Sequence, residues 1–212
     1  ASDKMDVKLN SFIDEFYKEV KKVSGEFNLE ITGGDLSKGP SISIAVTILG
    51  EVGTRRISSR KNACADYIVA VVGEFGSSAQ GLEDLEYGIR DNYFVNYHKK
   101  PPLHPKIVEE IATKTKHKYA MMDSSDGLCD CLYQISEKSN VRIDVQYKKI
   151  PKKVKNKEMV LFGGEDYSLV VCLDKRDYKK IAGLTEIGIC SAGEGVFVDN
   201  KELKYRGFDH FC

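Results

Sequence analysis

The sequence lacks an excess of either charge. Its 32 lysine and arginine residues balance 32 aspartate and glutamate residues, so the formal net charge is zero. A chain without a basic surplus has no general attraction to nucleic acid or to an anionic membrane. It also lacks any apolar run of the roughly 20 residues that a membrane-spanning helix requires, and no repeat of solenoid period is visible. With 42% hydrophobic and 30% charged residues, the composition predicts a globular protein with a core.

Several catalytic and metal signatures are also missing. The four histidines are scattered without a zinc pattern, and Cys129 and Cys131 are too close together for a paired metal knuckle. No phosphate-binding loop of the Gly-x-x-x-x-Gly-Lys-Ser kind occurs, and no serine–histidine or cysteine–histidine set suggests a nucleophile. Three of the six cysteines fall in apolar patterns, where a free thiol behaves as a small hydrophobe. We therefore expect a reducing, cytoplasmic location.

What is present is an acidic turn at residues 123–128. An apolar approach from Tyr119 to Met122 is followed by Asp123 and Asp126, and a helical pattern begins at Leu128. Two crowded carboxylates require a cation or a raised pKa, and magnesium is the cation that carboxylate and phosphate oxygens suit. A helix cap flanked by solvated acids is the alternative interpretation, and this stretch alone leaves both open.

Two further stretches have the same character. Residues 33–35 read Gly-Gly-Asp, and residues 163–167 read Gly-Gly-Glu-Asp-Tyr, each between apolar runs. Glycine allows the backbone to approach a ligand closely, although ordinary turns also use such sequences. We call residues 33–35, 123–128 and 163–167 the first, second and third acidic turns. Three of them in one chain exceed what turn formation requires.

The hydrophobic periodicity predicts a mixed α and β protein. In the first part it predicts a helix over 9–23, strands over 29–32, 41–49 and 66–72, and a helix over 82–87. In the second part it predicts helices from 105, over 128–139 and over 174–182, strands over 118–122, 141–147, 168–173, 185–190 and 195–198, and a hairpin turn at 199–200. The polar, proline-bearing segment 91–105 is the predicted domain boundary, and the lysine-rich segment after 147 is predicted to be a solvated loop.

Two segments allow both a functional and a structural interpretation. Residues 51–62 carry several arginines, which either lie in an exposed loop or reach for phosphate with a planar guanidinium group. Residues 73–81 are rich in glycine and serine and precede a predicted helix. The start of such a helix can hold an anion, and tight packing explains the small residues equally well.

Four motifs together carry a resemblance to a known family. They are Gly-Gly-Asp at 33–35 with Gly39-Pro40, Asp-Ser-Ser-Asp-Gly-Leu at 123–128, Gly-Gly-Glu-Asp-Tyr at 163–167 and Gly-Phe-Asp-His-Phe at 207–211. In this order and spacing they resemble the thiamine-monophosphate kinases, within the wider group of aminoimidazole ribonucleotide synthetase-like ATP enzymes. The likeness covers nearly the whole chain. Selenophosphate synthetase and the hydrogenase-maturation carbamoyl dehydratase share the fold, but the closing motif favours the thiamine enzymes.

The resemblance implies an α+β, two-domain aminoimidazole ribonucleotide synthetase-like fold whose first domain is partial. Residues 1–92 would be the remainder of an N-terminal ATP-binding and dimerisation domain, and residues 93–212 a C-terminal α/β domain. The implied activity transfers the γ-phosphate of ATP to thiamine monophosphate, with several Mg²⁺ ions in the inter-domain cleft of a homodimer. The alternatives are another ATP-using member of the group, similar to selenophosphate synthetase, and a non-catalytic nucleotide-binding module.

The resemblance also implies roles for particular residues. Asp35, Asp123 and Asp126 correspond to magnesium ligands. Gly34, Asp35, Arg60 and Ser125 correspond to ATP contacts, and Glu165 and Phe208 correspond to contacts with the acceptor substrate. No catalytic base is implied, because the attacking phosphate oxygen is largely ionised at neutral pH. Alignment and charge neutralisation are what phosphoryl transfer requires.

The chain departs from the family pattern in three places. Phe208 stands where family members usually have tryptophan, so a stacking face remains while the indole donor is lost. The segment Arg60-Lys61-Asn62-Ala63 replaces the usual arginine-serine-glycine-alanine. Family chains also carry further magnesium-binding acids before the position at which this sequence starts. We therefore expect the sequence to be a fragment with low activity by itself.

Overall fold

The computed structural model describes residues 2–204, and the side chains of residues 9–204. They form two compact units that divide between Leu49 and Gly50. The closing motif at 207–211, with its predicted site residue Phe208, lies outside the described residues.

The first unit consists of one long helix and an extended segment. Helix α1 spans Ser2–Glu26, so the predicted helix is confirmed and is longer than the apolar periodicity indicated. Asn28 then adopts a left-handed conformation with φ 53°, and the Leu29 amide donates to the carbonyl of Ser24 at 2.8 Å. This left-handed residue closes the helix in the way that asparagine permits at low cost.

The strands predicted over 29–32 and 41–49 are wrong for the described part of the first unit, where residues 27–49 contain no strand. The alternating apolar side chains, among them Ile42 and Val46, are exposed. Alternation specifies which face of a strand is apolar, but a strand forms only where a neighbouring strand accepts and donates the backbone hydrogen bonds. Residues 2–49 supply no such neighbour.

The second unit is built on a mixed sheet with helices on both faces. Its strands are β1 (Ile68–Val72), β2 (Ala120–Asp123), β3 (Val141–Val145), β4 (Leu169–Leu173), β5 (Thr185–Ala192), β6 (Val196–Val198) and β7 (Lys201–Glu202). Its helices are α2 (Ser77–Glu86), α3 (Tyr93–Lys99), α4 (Pro105–Lys114), α5 (Leu128–Ser139), α6 (Lys157–Phe162) and α7 (Lys175–Tyr178). The strand order is β2-β4-β1-β5-β3-β6-β7. Within it only the β3–β6 pair is parallel.

Strand β1 lies at the centre of the core because both of its faces are apolar. Val69 and Val71 pack on the face covered by α5, while Ile68 and Ala70 belong to a second cluster that includes Ile111 of α4. All five residues of β1 are buried. A continuous apolar run is what a strand covered on both sides requires, so this prediction is confirmed. The predicted α+β fold class is also confirmed.

The turn predicted at 199–200 is confirmed as the connection of an antiparallel hairpin. Asp199 and Asn200 have φ of 52° and 64°, and Val198 pairs with Lys201 across them. Two successive left-handed residues are the signature of the tight turn whose twist suits a hairpin. The hairpin is the last described part of the sheet.

Two short helices were not predicted. Helix α3 lies in the segment 91–105, which was predicted to be a domain boundary, and α6 lies in the lysine-rich segment that was predicted to be a loop. Helix α6 begins where the Asn156 side chain accepts from the Glu158 amide at 3.0 Å. A helix of six residues gives too little periodicity to recognise. Strand β1 lies before residue 93 in the chain and pairs with β4 and β5, which lie after it. The division into two functional domains at residues 92 and 93 stays a prediction.

Candidate active site

Three loops meet at one edge of the sheet because of the strand register. Leu169 at the start of β4 lies opposite Val72 at the end of β1 and opposite Asp123 at the end of β2. Neighbouring antiparallel strands place the end of one beside the start of the next. The glycine-rich segment after β1, the second acidic turn after β2 and the third acidic turn before β4 are thereby brought together.

The second acidic turn does not cap the helix that follows it. The residue before α5 is Gly127, with φ 99°, and no side chain caps the helix start. Asp123 is exposed and Asp126 is partly exposed. The Ser125 hydroxyl donates to Asp126 Oδ2 at 3.2 Å. The helix-cap interpretation is therefore wrong, because no side chain caps the start of α5.

The third acidic turn packs on the second, backbone against backbone. The Glu165 amide donates to the Ser125 carbonyl at 2.8 Å. A Cβ placed on Gly164 would lie 2.4 Å from that same carbonyl oxygen, and one on Gly127 would lie 3.0 Å from the Phe162 carbonyl. A carbon atom cannot lie 2.4 Å from an oxygen to which it is not bonded, so the two turns can meet only with glycine at position 164, while the contact at Gly127 is tight and its φ of 99° also favours glycine.

The third acidic turn also holds side-chain residues in an unusual backbone conformation. Glu165 and Tyr167 have φ of 65° and 50°, which costs free energy for residues other than glycine. The Tyr167 hydroxyl donates to Glu165 Oε2 at 3.0 Å. Strained backbone of this kind concentrates at functional sites, and Glu165 is the residue predicted to contact the acceptor.

The charges of the two turns act on each other. The hydrogen bond to Glu165 raises the pKa of Tyr167, as do burial and the negative charges of Glu165, Asp123 and Asp126. Burial likewise raises the pKa of the Cys131 thiol, with further increases from nearby carboxylates. In both cases nearby carboxylates add to the larger effect of a hydrogen bond or of burial, so the acids of the two turns concentrate negative charge here. A bound cation would be favoured here.

Asp166 is a buried acid of the third acidic turn to which the sequence analysis gave no role. Its carboxylate is buried and accepts from the Gly76 amide at 2.6 Å and the Ser78 amide at 2.8 Å, at the start of α2. Helix starts favour anions, so the anion at this helix start is the chain's own Asp166. Burial raises the pKa of Asp166 to about 6, against the opposing effect of the amide donors. Asp166 thus ties α2 to the third acidic turn.

Arg60 has a less direct relation to the turns. Its carbonyl accepts from the Ser139 hydroxyl at 2.6 Å, and Ser139 is the last residue of α5. The Arg60 backbone therefore lies at the end of α5 opposite the second acidic turn. The positive charge of its exposed guanidinium nevertheless lowers the pKa of the Cys131 thiol in the first turn of α5.

The first acidic turn belongs to the first unit and is described within it. Asp35 accepts from the Ser37 hydroxyl at 3.0 Å, a local contact typical of turns. A Cβ on Gly34 would lie 3.5 Å from the Tyr17 hydroxyl, an ordinary contact distance. Among the residues described, no group of three or more histidine, cysteine or acidic side chains is close enough to hold a metal ion. Across residues 2–204, every helix is too short or too polar to span a bilayer.

Solved structures identify the fold. A structure described as AaThiL complexed with AMPPCP and TMP matches with TM-score 0.78 and 29% identity, over 95% of this chain and 69% of that one. The crystal structure of thiamine monophosphate kinase from Aquifex aeolicus matches with TM-score 0.74 and 27% identity, over 92% and 70%. The E. coli hydrogenase maturation protein HypE shares the fold at 12% identity and TM-score 0.58, over 74% and 55%. The fold is that of the aminoimidazole ribonucleotide synthetase-like ATP enzymes.

Sequence relatives identify the family. The thiamine-monophosphate kinase of Aquifex aeolicus is 35% identical over 95% of this chain and 69% of its own length. That of Bacillus subtilis is 30% identical over 80% of this chain and 56% of its own length. No family model matches the chain. The chain belongs to the thiamine-monophosphate kinase family, as the motifs predicted, and it spans about half to two thirds of the length of these relatives.

Proposed function

We propose that this chain transfers the γ-phosphate of ATP to thiamine monophosphate, giving thiamine diphosphate. The main support for the proposal is the direct contact between the second and third acidic turns at one edge of the sheet, in a chain that belongs to this family. A related structure contains both AMPPCP and TMP, so that protein binds a nucleotide and an acceptor together. The chemistry needs positioning more than covalent participation by the protein.

Asp123 and Asp126 are the proposed magnesium ligands of the second unit, and Asp35 is the proposed ligand of the first. Two carboxylates in one turn fit Mg²⁺, which proteins usually hold through one or two carboxylates together with substrate phosphates. When bound, Mg²⁺ neutralises phosphate charge and orients the reacting groups. The two aspartates would otherwise repel both phosphorylated substrates, so their role depends on that neutralisation.

The remaining predicted contacts divide between the two substrates. Gly34, Asp35, Arg60 and Ser125 are proposed to contact ATP, and Glu165 and Phe208 are proposed to contact thiamine monophosphate. The acceptor phosphate supplies an ionised oxygen, and this chain therefore needs no general base. Its residues orient that oxygen and exclude water.

We also propose a homodimer in a reducing, cytoplasmic location, with the functional division near residue 92. The described cysteines support the location, because Cys64, Cys131, Cys172 and Cys190 are free thiols. Free thiols persist where the surroundings keep them reduced.

The test is the formation of thiamine diphosphate from ATP and thiamine monophosphate by wild-type protein and by Asp126→Asn. We expect the variant to lose about a hundredfold in rate, since small errors in positioning cost that much. Its melting temperature should change by only about 1–2 °C, because Asp126 caps no helix. Asp91→Asn is the matched control, as Asp91 is exposed and outside the site.

Two results would contradict the proposal. If wild-type protein binds the ATP analogue but forms no thiamine diphosphate even when the upstream segment of a related thiamine-monophosphate kinase is joined to it, the chain is a nucleotide-binding module. If Asp126→Asn greatly lowers the melting temperature while the folded variant binds nucleotide normally, the residue serves the fold and the metal assignment fails.

A further inference from the structure

Residues 147–157, which we call the lysine segment, concentrate positive charge in a chain that has no net charge. They contain six lysines and no acidic residue. The sequence predicted a solvated loop here, and the function proposed above gives these lysines no role. A loose loop would spread its charge over the solvent, whereas an ordered segment holds its charge in one place, so the local structure decides what this charge can do.

The lysine segment is ordered by its own contacts. Ile150 and Val154 are buried in the core, and the Pro151 carbonyl accepts from the Phe75 amide at 3.0 Å. Lys152 donates to the Ile150 carbonyl at 2.9 Å. The segment therefore presents its other lysines from a fixed backbone.

The strand register carries the lysine segment to the edge of the sheet at which the acidic turns meet. Val145 at the end of β3 lies opposite Gly188 of β5, and Thr185 at the start of β5 lies opposite Val71 near the end of β1. Strand β3 therefore runs towards the edge at which β1 ends. The segment then passes the loop after β1 and enters α6, whose last residue, Phe162, is followed by the third acidic turn.

The distances along this edge are comparable with the range of a charge in salt solution. Strands β3 and β4 are separated by β1 and β5, which places β3 about 14 Å from β4. Helix α6 has six residues and spans about 9 Å. The screening length is about 10 Å at 0.1 M salt and about 3 Å at 1 M. The lysine charges therefore reach the acidic turns at the lower salt concentration and are screened from them at the higher one.

Acidic partners neutralise only part of the lysine segment. Lys149 Nζ lies 2.9 Å from Glu186 Oε1, and Lys153 Nζ lies 3.4 Å from Glu74 Oε2. The positive surplus is carried by three exposed lysines that form no salt bridge with any described residue, namely Lys148, Lys155 and Lys157.

Local stability does not explain why the segment is so basic. Lys152 and Lys157 both approach the Tyr147 ring, with Nζ 4.5 Å and 4.9 Å from its centre, and like charges held near one ring repel each other. Lys157 also opens α6, where a cation opposes the helix dipole. Both features disfavour the folded segment, so its charge is better explained by an effect on a ligand.

We propose that the lysine segment attracts ATP from solution and guides it to the acidic turns. This inference rests on the function proposed above. Asp123, Asp126 and Glu165 repel a nucleotide, which carries several negative charges. Basic charge beside a site raises the association rate of an anion by about tenfold to a thousandfold, and salt removes the effect. Because the lysines lie beside the site, they change the rate of association and leave the rate of dissociation unchanged.

Two triple variants test the inference, each of which removes three exposed lysine charges. The control lysines lie at the opposite edge of the sheet, before the start of β2 or after the end of β4, and β4 alone spans about 17 Å. Like the test lysines, they form no salt bridge with a residue between 9 and 204. The test variant is Lys148→Gln/Lys155→Gln/Lys157→Gln, and the control variant is Lys118→Gln/Lys175→Gln/Lys179→Gln.

The experiment measures the association and dissociation rate constants of fluorescent methylanthraniloyl-ATP by stopped flow, with Mg²⁺ present. At about 0.1 M salt, wild-type protein should associate about threefold to tenfold faster than the test variant, and the control variant should stay within about 1.5-fold of wild type. At about 1 M salt the three proteins should associate equally fast. Methylanthraniloyl-AMP carries fewer charges, so its association should differ less between wild type and the test variant. The dissociation rate constants should agree throughout.

Several outcomes would overturn the inference. One is an equal association rate in wild type and the test variant at 0.1 M salt, and another is equal slowing in the control variant. Faster dissociation from the test variant at an unchanged association rate would place the lysines in contact with bound nucleotide and overturn guidance. If the test variant does not fold, its three single substitutions replace it, and an unchanged association rate in all of them counts equally against the inference.

The failure of this inference can be told from the failure of the proposed function. Wild-type protein that makes thiamine diphosphate, with association independent of the lysines, refutes the role of the lysine segment alone. Protein that binds no nucleotide at either salt concentration refutes the proposed function and the inference with it.

Discussion

The clearest energetic prediction concerns the buried carboxylate that joins α2 to the third acidic turn. Asp166→Asn keeps the size of the side chain and removes its charge. Asparagine offers one oxygen to the Gly76 and Ser78 amides, which both donate to the carboxylate. One amide is therefore left facing an NH₂ group, and an unsatisfied buried donor costs about 1–3 kcal/mol.

The pH dependence of this substitution has a defined sign. Because burial raises the folded-state pKa of Asp166 from 3.8 to about 6, the folded protein binds this proton more tightly than the unfolded chain does. The stabilisation that protonation provides is complete below about pH 4 and is lost as the pH rises through about 6. The shift of about 2 units, at 1.36 kcal/mol each, makes this loss about 3 kcal/mol.

The assay is denaturant unfolding of wild-type protein and Asp166→Asn between pH 4 and 7. The stability of the wild type relative to the variant should fall by about 3 kcal/mol across that range. Asp91→Asn is the control, because Asp91 is exposed and lies outside the contact between α2 and the third acidic turn, so its difference from wild type should not follow that of Asp166→Asn. A pH-independent difference between wild type and Asp166→Asn would refute the reasoning.

Two further substitutions probe the acidic turns. Gly164→Ala should cost about 1–3 kcal/mol of stability and at least tenfold in kcat/KM, since its Cβ would lie 2.4 Å from the Ser125 carbonyl oxygen; steady-state kinetics and unfolding measure both. Gly50→Ala, where nothing lies within 4 Å, should change neither, and equal effects would refute the packing argument. Glu165→Gln should raise the Kd of thiamine monophosphate more than that of an ATP analogue, measured by calorimetry. Equal weakening of both would contradict its assignment to the acceptor.

Local sequence patterns were sufficient to predict those helices and strands whose apolar residues alone indicate which face is buried. The helix predicted over 128–139 is α5 with the same bounds, because its apolar residues recur at helical spacing and face the core. Strand β1 was predictable because a short continuous apolar run is typical of a strand that is buried on both faces. The four motifs were sufficient to predict the family, because their order and spacing can be read from the sequence without knowledge of any contact.

Patterns failed where the decisive partner is distant in the chain. Apolar and polar side chains alternate over residues 41–49 as they do in a strand, and yet the apolar ones are exposed. Alternation does not supply the neighbouring strand with which the backbone must form hydrogen bonds. Residues 73–81 were compatible with an external anion or with tight packing. The structure shows an internal anion, Asp166, and a Gly81 whose Cβ would lie 2.1 Å from the Phe94 carbonyl oxygen.

The sequence by itself determined the class of this protein, the acidic turns and the glycines that such turns require, because these depend on residue type and spacing. The tertiary structure alone decided which turns meet. The contact between Glu165 and Ser125 follows from the register of β1, β2 and β4. The hydrogen bonds from the Gly76 and Ser78 amides to Asp166 likewise depend on the packing of α2 against the third acidic turn. Such contacts join residues far apart in sequence, and only the packed sheet fixes their distances.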